Sequence, residues 1–257
     1  MKSVTMVLST IMICFFTFTL SEAKDITDNL ALALSFEEGV GNTTKDFSPE
    51  GNNGKFQGNP QWIDGKFGKA LYFDGKSSVT TPYINLKEKS FTIQLWIKPN
   101  MDTEQEVVFS QYESSSSNLT LHLRIYNNGT VRFGFYNNDL DTPVDAVKKG
   151  EWHNLTFIFD ISDKSRKIYI DGQKVAADVS ASAYLGSKGE TRIGGWERPD
   201  KVEFYQSYGG AIDEVRVWFR PLDNDEILES MDTNISVESL GKSTTTWGLI
   251  KNESLSL

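Results

Sequence analysis

The feature that most constrains this chain is a two-residue alternation of apolar and polar side chains, broken at short intervals by Gly, Asn and Asp. Leu119, Leu121, Leu123 and Ile125 alternate with Thr120, His122, Arg124 and Tyr126. After Asn127-Asn128-Gly129, Val131, Phe133 and Phe135 alternate with Arg132, Gly134 and Tyr136. Successive side chains of a strand point to opposite faces, so this segment predicts a hairpin with one apolar face. The same period recurs in Leu32, Leu34 and Phe36, and in Phe91, Ile93, Leu95 and Ile97 opposite Thr92, Gln94, Trp96 and Lys98. It returns in Val107 to Tyr112 and in Leu155, Phe157 and Phe159. A strand, the Asp74-Gly75 turn and a second strand are predicted between Phe67 and Val79, and a second hairpin around Asp171-Gly172. No long amphipathic helix competes with them. The expected fold is all-β, two antiparallel sheets packed as a sandwich, with one short C-terminal helix. That helix starts at Asp223, where Glu226 completes a capping box, and runs to Met231.

The stretch from Gly209 to Leu222 carries a further signal. Val215, Val217 and Phe219 share one face while Glu214, Arg216, Trp218 and Arg220 share the other, and Asp213 falls in the apolar phase. Glu38 likewise continues the phase of Leu32, Leu34 and Phe36. An isolated buried carboxylate is too costly to keep, so each must be neutralised, hydrogen-bonded or bound to a cation. The segment from Gly39 to Gly54, rich in Gly, Asn, Asp and Ser, reads as an irregular loop able to turn oxygens inward. Calcium takes 6–8 oxygen ligands. Glu38, Asp46 and Asp213, with Asn53 or its neighbours giving a carbonyl, are the candidate set; in the alternative, Asp46 caps a turn, Asp213 accepts backbone N–H bonds, and no ion binds.

The segments Phe36-Glu37-Glu38-Gly39, Asp46-Phe47-Ser48, Gly51-Asn52-Asn53-Gly54 and Gly65 to Gly75 occur in order before Phe91 to Ile97. Glu151-Trp152-His153, Ile168 to Gly172 and Gly209 to Leu222 follow. Together, over about residues 30 to 231, they resemble the laminin-G-like, concanavalin A-like jelly-roll domains. The resemblance implies a β-sandwich, a role that is mostly binding, and a structural calcium near these segments.

Lys2, an apolar run from Val4 to Leu20 and Ser21-Glu22-Ala23 predict a removable signal peptide over 1–23, a domain over 24–232 and an irregular tail over 233–257. The expected destination is secreted, extracellular or periplasmic. The one cysteine, Cys14, lies in the signal run, so stability must come from the core and a metal rather than from disulfides. A net charge of -9 with no basic cluster argues against nucleic acid and anionic membranes as partners, and the chain is expected to act as a monomer. Of the Asn-x-Ser/Thr sequons, that at Asn154 falls inside a predicted strand.

Catalysis is not expected. A retaining glucanase of this fold carries acids at i, i+2 and i+4 of one strand, where two carboxyls can approach to about 5–5.5 Å. Around Asp213 those positions hold Ala211, Asp213 and Val215. The two histidines, His122 and His153, read as solvated or hydrogen-bonded structural residues. Trp62, Trp96, Trp152 and Trp218 read as packing residues. Trp196, Phe204, Tyr205 and Tyr208 instead lie in a loop from Gly194 to Gly210, which suggests either an aromatic contact surface or a cover for the sandwich end. As a surface, Trp196, Tyr205 and Tyr208 would be the ligand platform. The resulting expectation is a non-catalytic module that recognises a glycan or a glycosylated surface. The alternatives are an adhesive or structural module that binds an extracellular protein and, third, a glycoside hydrolase.

Overall fold

The computed structural model describes residues 25–196, 201 and 206–232. The expected signal peptide and tail, together with Phe204 and Tyr205, lie outside them. In chain order the strands are β1 (Leu30–Leu34), β2 (Thr43–Thr44), β3 (Gly54–Gln57), β4 (Gln61–Asp64), β5 (Lys69–Asp74) and β6 (Ser78–Thr81). Next come β7 (Phe91–Pro99), β8 (Gln105–Tyr112), β9 (Thr120–Tyr126), β10 (Val131–Gly134) and β11 (Asp139–Asp141). The last are β12 (His153–Asp160), β13 (Ser165–Ile170), β14 (Gln173–Val179), β15 (Thr191–Ile193) and β16 (Gly209–Trp218), followed by α1 (Asn224–Asp232).

Sheet one is ordered β14-β13-β12-β7-β16-β5-β4, with β1 also on β16, and sheet two is ordered β11-β10-β9-β8-β15-β6-β3-β2. Both predicted hairpins form, whereas the strands that flank the Asp74-Gly75 turn, β5 and β6, lie in different sheets. β9 and β10 pair as Ile125↔Val131 and Leu123↔Phe133, and β13 turns into β14 through Asp171 and Gly172, both at positive φ (51° and 76°). The side chains that alternate inward meet between the sheets: Phe91, Phe133, Phe135, Phe157 and Phe159 form one aromatic cluster. Each such buried side chain is worth about 1.5–3 kcal/mol. A second apolar cluster lies outside sheet one, where Ile26, Leu30, Trp218, Leu222 and Ile227 join the N-terminal segment to α1. The helix begins with the predicted capping box: Glu226 N–H donates to Asp223 Oδ1 (3.0 Å) and Asp223 N–H to Glu226 Oε2 (2.8 Å). Asn154 is buried in β12, so its sequon is closed in the folded chain.

β16 departs from simple alternation. One of its edges pairs throughout with β7. The other is shared, because β5 takes Gly209 to Ile212 and β1 takes Val215 to Trp218. At the changeover the β7 register slips between Asp213 and Arg216, and Glu214 has φ 51°. This bulge lets Ile212 and Val215 both face the inter-sheet core. Asp213 is thereby moved out of the apolar phase that the sequence gives it, and lies opposite Trp96, whose neighbours Leu95 and Ile97 face the core.

Candidate functional site

The outer face of sheet two carries the site. His122 on β9 stands opposite Gly134 on β10, which stands opposite Asp139 on β11. A Cβ on Gly134 would lie 2.1 Å from His122 Cε1 and 2.4 Å from Asp139 Oδ1, so only glycine lets the imidazole lie across β10 towards the acid. His122 Nε2 is 3.5 Å from Asp139 Oδ1. Trp196 closes one side: its ring is 5.8 Å from His122 and 6.0 Å from Tyr112, with the Arg124 guanidinium 4.5 Å over its face. Tyr136 closes another, 6.4 Å from the imidazole. Between them is a cavity of about 240 Å³ walled by Gln105, His122, Arg124, Tyr136, Asp139 and Gln206, with Arg132 at its side.

The electrostatics follow from this packing. Burial first, then the Arg124 and Arg132 charges, hold the His122 pKa well below the usual histidine value. Burial pushes the Asp139 carboxyl up, against the pull of Arg132. Arg132 itself forks onto Asp141 (2.7 and 2.8 Å) and reaches Asp139 Oδ2 at 3.1 Å. The site therefore holds a neutral imidazole among neutralised charges. It offers polar, hydrogen-bonding surface. A second, larger depression of about 440 Å³ adjoins it across Gln105 and Gln206, walled by Tyr72, Asn100 and Asp102. Glu106, buried beneath it, is occupied by the N–H groups of Asp102, Thr103 and Gly209.

The aromatic platform expected from the loop is not built from its described members. Trp196 is 3 % exposed and Tyr208 fully buried. Tyr208 packs on Phe73 in the inter-sheet core and donates to Ala211 O, because the loop re-enters the sandwich just before β16. Trp196 is a wall beneath Arg124, and the loop acts there as a cover. His122 is likewise buried rather than solvated. The sequence signals for this site were Gly134, a residue without a side chain between two strand phenylalanines, and a lone histidine on the polar phase of β9.

The four expected metal ligands do not converge. Asp46 is consumed inside its loop, accepting from Ala33 N, Ser48 N, Ser48 Oγ and Asn52 N at 2.6–2.8 Å. Asn53 Oδ1 accepts from Asp46 N (2.9 Å). These short local bonds turn both residues inward on the loop's own backbone. Glu38 Oε1 accepts from the Thr44 hydroxyl and from Lys45 N–H. Asp213 Oδ2 accepts from Lys66 N (2.9 Å) and Phe67 N (3.1 Å), clamping the β4–β5 turn into the gap between β1 and β5. Burial pushes its pKa up to about 7, and the neighbouring Glu214 charge adds to this. Among the described residues no three or more His, Cys, Asp or Glu side chains gather closely enough to hold a metal. Glu37 Oε1, Glu38 Oε2 and Asp213 Oδ1 are nevertheless buried without a hydrogen-bond partner.

A family model described as the concanavalin A-like lectin/glucanases superfamily matches residues 73–228. The chain belongs to this superfamily. Among solved structures of similar fold is domain 4 of AbnA, an extracellular GH43 arabinanase from Geobacillus stearothermophilus, in complex with arabinotriose. It is 19 % identical, with a TM-score of 0.61 over 79 % of this chain and 98 % of that one. The binding domain of Paraclostridial Mosquitocidal Protein 1 is 15 % identical, with a TM-score of 0.60 over 80 % of this chain and 52 % of that one. The binding domain of botulinum neurotoxin DC, in complex with SialylT, is 16 % identical, with a TM-score of 0.60 over 80 % and 51 %. The chain thus spans about half the length of these toxin domains. Likeness at such identity is likeness of fold. No curated protein matches the sequence. Among the described residues of this superfamily member, no helix is long and apolar enough to cross a membrane.

Proposed function

We propose that this chain is a secreted, non-catalytic module that binds carbohydrate in the cavity over His122, Gly134 and Asp139. The observation that carries the reading is the cavity itself: a polar recess lined by His122, Arg124, Tyr136 and Asp139, held in register across three strands of a rigid sheet. Solved structures of the same fold in complex with arabinotriose and with SialylT support it. The test is a glycan array probed with the exported chain and with Gly134→Val, whose side chain claims the space of His122. Retention of at least one glycan class by the parent, and its loss in the variant, is the expected result. An empty array alongside capture of a protein partner would replace this reading with that of an adhesive module.

We propose further that a structural calcium binds at the β4–β5 turn beside Glu37 and Asp213, which both accept from backbone N–H groups there. The register Leu34↔Val215 sets the residues after β1 alongside Asp213, and the unpartnered Glu37 Oε1 and Asp213 Oδ1 suit a hard cation that takes the rest of its shell from backbone carbonyls and water. Such an ion would be structural, tying β1 to β16. A ligand held only by the folded state adds about 2.7 kcal/mol at a hundredfold excess over its Kd. Thermal melts with calcium and with chelator should therefore differ for the parent and much less for Asp213→Asn; identical parent melts, with no ion found by metal analysis, would remove the site.

A further inference from the structure

The recess over His122 is small, about 240 Å³, and polar. The depression beside it, about 440 Å³, falls within the roughly 300–1,000 Å³ of ligand pockets and mixes carbon with polar surface. Gln105 and Gln206 line both, so the two recesses share one sill. The larger one has a preformed floor. Buried Glu106 accepts from Asp102 N and Thr103 N (both 3.2 Å) on one oxygen and from Gly209 N (3.1 Å) on the other, which ties the β7–β8 loop to the start of β16. Asn100 N–H donates to Gly209 O (2.9 Å) and Gly75 N–H to Tyr208 O (3.1 Å), fixing the wall at the β5–β6 turn. The walls are open to water: Tyr72, Asn100, Gln105 and Gln206 are half-buried, and Asp74, Asp102 and Glu104 are exposed. Asn100 gives its amide N–H to the Tyr72 hydroxyl (2.9 Å), and its Oδ1 has no partner among the described residues. Gln105 Oε1 accepts from Arg124, and its amide N–H groups have no partner there either. Among the described residues no Lys or Arg lines this recess.

We propose that the larger recess is a second subsite, that the ligand is a chain of at least two sugar units laid across Gln105 and Gln206, and that the unit in this recess carries no anionic group. The inference rests on the carbohydrate-binding reading and extends its site. A sugar ring presents carbon faces as well as hydroxyls, and the larger recess supplies surface for both. A hydroxyl both donates and accepts, so it can meet Asn100 Oδ1 and the Gln105 amide alike. Two linked units bear the rigid-body cost of association once, and contacts of the second unit therefore add to affinity. A uronate carboxylate brought among Asp74, Asp102 and Glu104 would add a like charge where no lining cation offsets it. That repulsion acts through water and weakens as salt is added.

The test is an array of glycan series with one, two and three linked units, each neutral or carrying a terminal uronate. It is probed with the full exported chain, with Asn100→Leu, and with the double variant Asp102→Lys, Glu104→Lys. In the parent, the two-unit member of a neutral series should bind at least tenfold tighter than the one-unit member. Its uronate-bearing counterpart should bind at least tenfold more weakly at low salt, and the gap should narrow in high salt. Asn100→Leu should bring two-unit affinity down to near the one-unit value. The lysine pair sits at exposed positions, where losing the Asp102–Lys149 ion pair costs little, and it should admit the uronate chain even if Asn100→Leu fails to fold. Equal affinity for one and two units, or two-unit binding that a folded Asn100→Leu leaves intact, would remove this subsite and keep the carbohydrate reading. Uronate chains held by the parent as tightly as neutral ones, or still refused by the lysine pair, would overturn the charge selection. An empty array would remove the carbohydrate reading and this subsite with it.

Discussion

On sheet one, the outward side chains Gln94, Trp96 and Arg216 lie under α1, and each donates to a carbonyl of that helix: Gln94 to Ile227 (3.4 Å), Trp96 to Met231 (3.3 Å) and Arg216 to Ser230. On sheet two, the outward His122 and Asp139 lie around a cavity, and His122 Nδ1 has no hydrogen-bond partner. Both faces are polar in sequence. One uses its polar atoms to cap the last turn of a helix that has no basic residue of its own there. The other has no helix over it among the described residues, and a recess stays open there. Cover, rather than polarity, separates the two faces.

The strongest way to break this contrast is Arg216→Met. The pair Arg216 with Glu214 is buried, each side chain 2 % exposed. Removing the cation strands the acid, and loss of one partner of such a pair costs about 3–5 kcal/mol. Urea unfolding should show a fall of this size with glycan binding of the folded fraction unchanged; a loss below about 1 kcal/mol would mean that sheet one is not closed by this pair.

The next effect is a pH slope of opposite sign on the two faces, measured in chelator. Asp213 has its folded pKa raised from 3.8 to about 7, so its protonated form favours the folded state. That stability is greatest below about pH 4 and declines as pH rises through 7. The shift corresponds to at most about 4 kcal/mol. Asp213→Asn should flatten that decline. The depressed pKa of His122 acts in reverse: its stability is present above about pH 6.5 and is lost as pH falls below it. His122→Phe should flatten the acid limb alone, and equal profiles in parent and variants would discard both assignments.

Trp196→Ala separates a wall from a platform. As a buried ring between Arg124, His122 and Tyr112 it should cost about 3 kcal/mol in thermal or urea unfolding. A stable variant with selectively lost binding would restore the platform. The smallest effect is expected from Gly134→Ala, whose methyl must displace His122 or Asp139 at about 1–2 kcal/mol of stability. Titration calorimetry should register a tenfold weaker ligand, equivalent to about 1.4 kcal/mol.

The strands, both main hairpins, the helix and its capping box were legible in the sequence, because each rests on local periodicity or turn chemistry. Asp213 was legible as a costly acid but not in its direction. The bulge that redirects it arises where β16 exchanges β5 for β1, and no local signal announces an exchange of partners. Trp196 and Tyr208 misled for a related reason: composition marks a loop as a loop, whereas which of its side chains turn back into the core depends on where it re-enters. Asp46 and Asn53 had the chemistry of ligands, and the loop's own N–H groups claimed it first.

β16 has one more consequence, for how the chain comes to be folded. Leu30 pairs with Trp218, and β5 and β7 also wait for the same late strand. Sheet one therefore cannot close until almost all of this sequence has been synthesised, and contacts of such sequence separation are slow to form. Until then β1, β5 and β7 expose unpaired edges, which other chains can pair with. A ribosome stalled short of residue 209, or a protease that trims the segment ending in α1, would release a chain whose sheet two could assemble but whose first strand has nothing to hold.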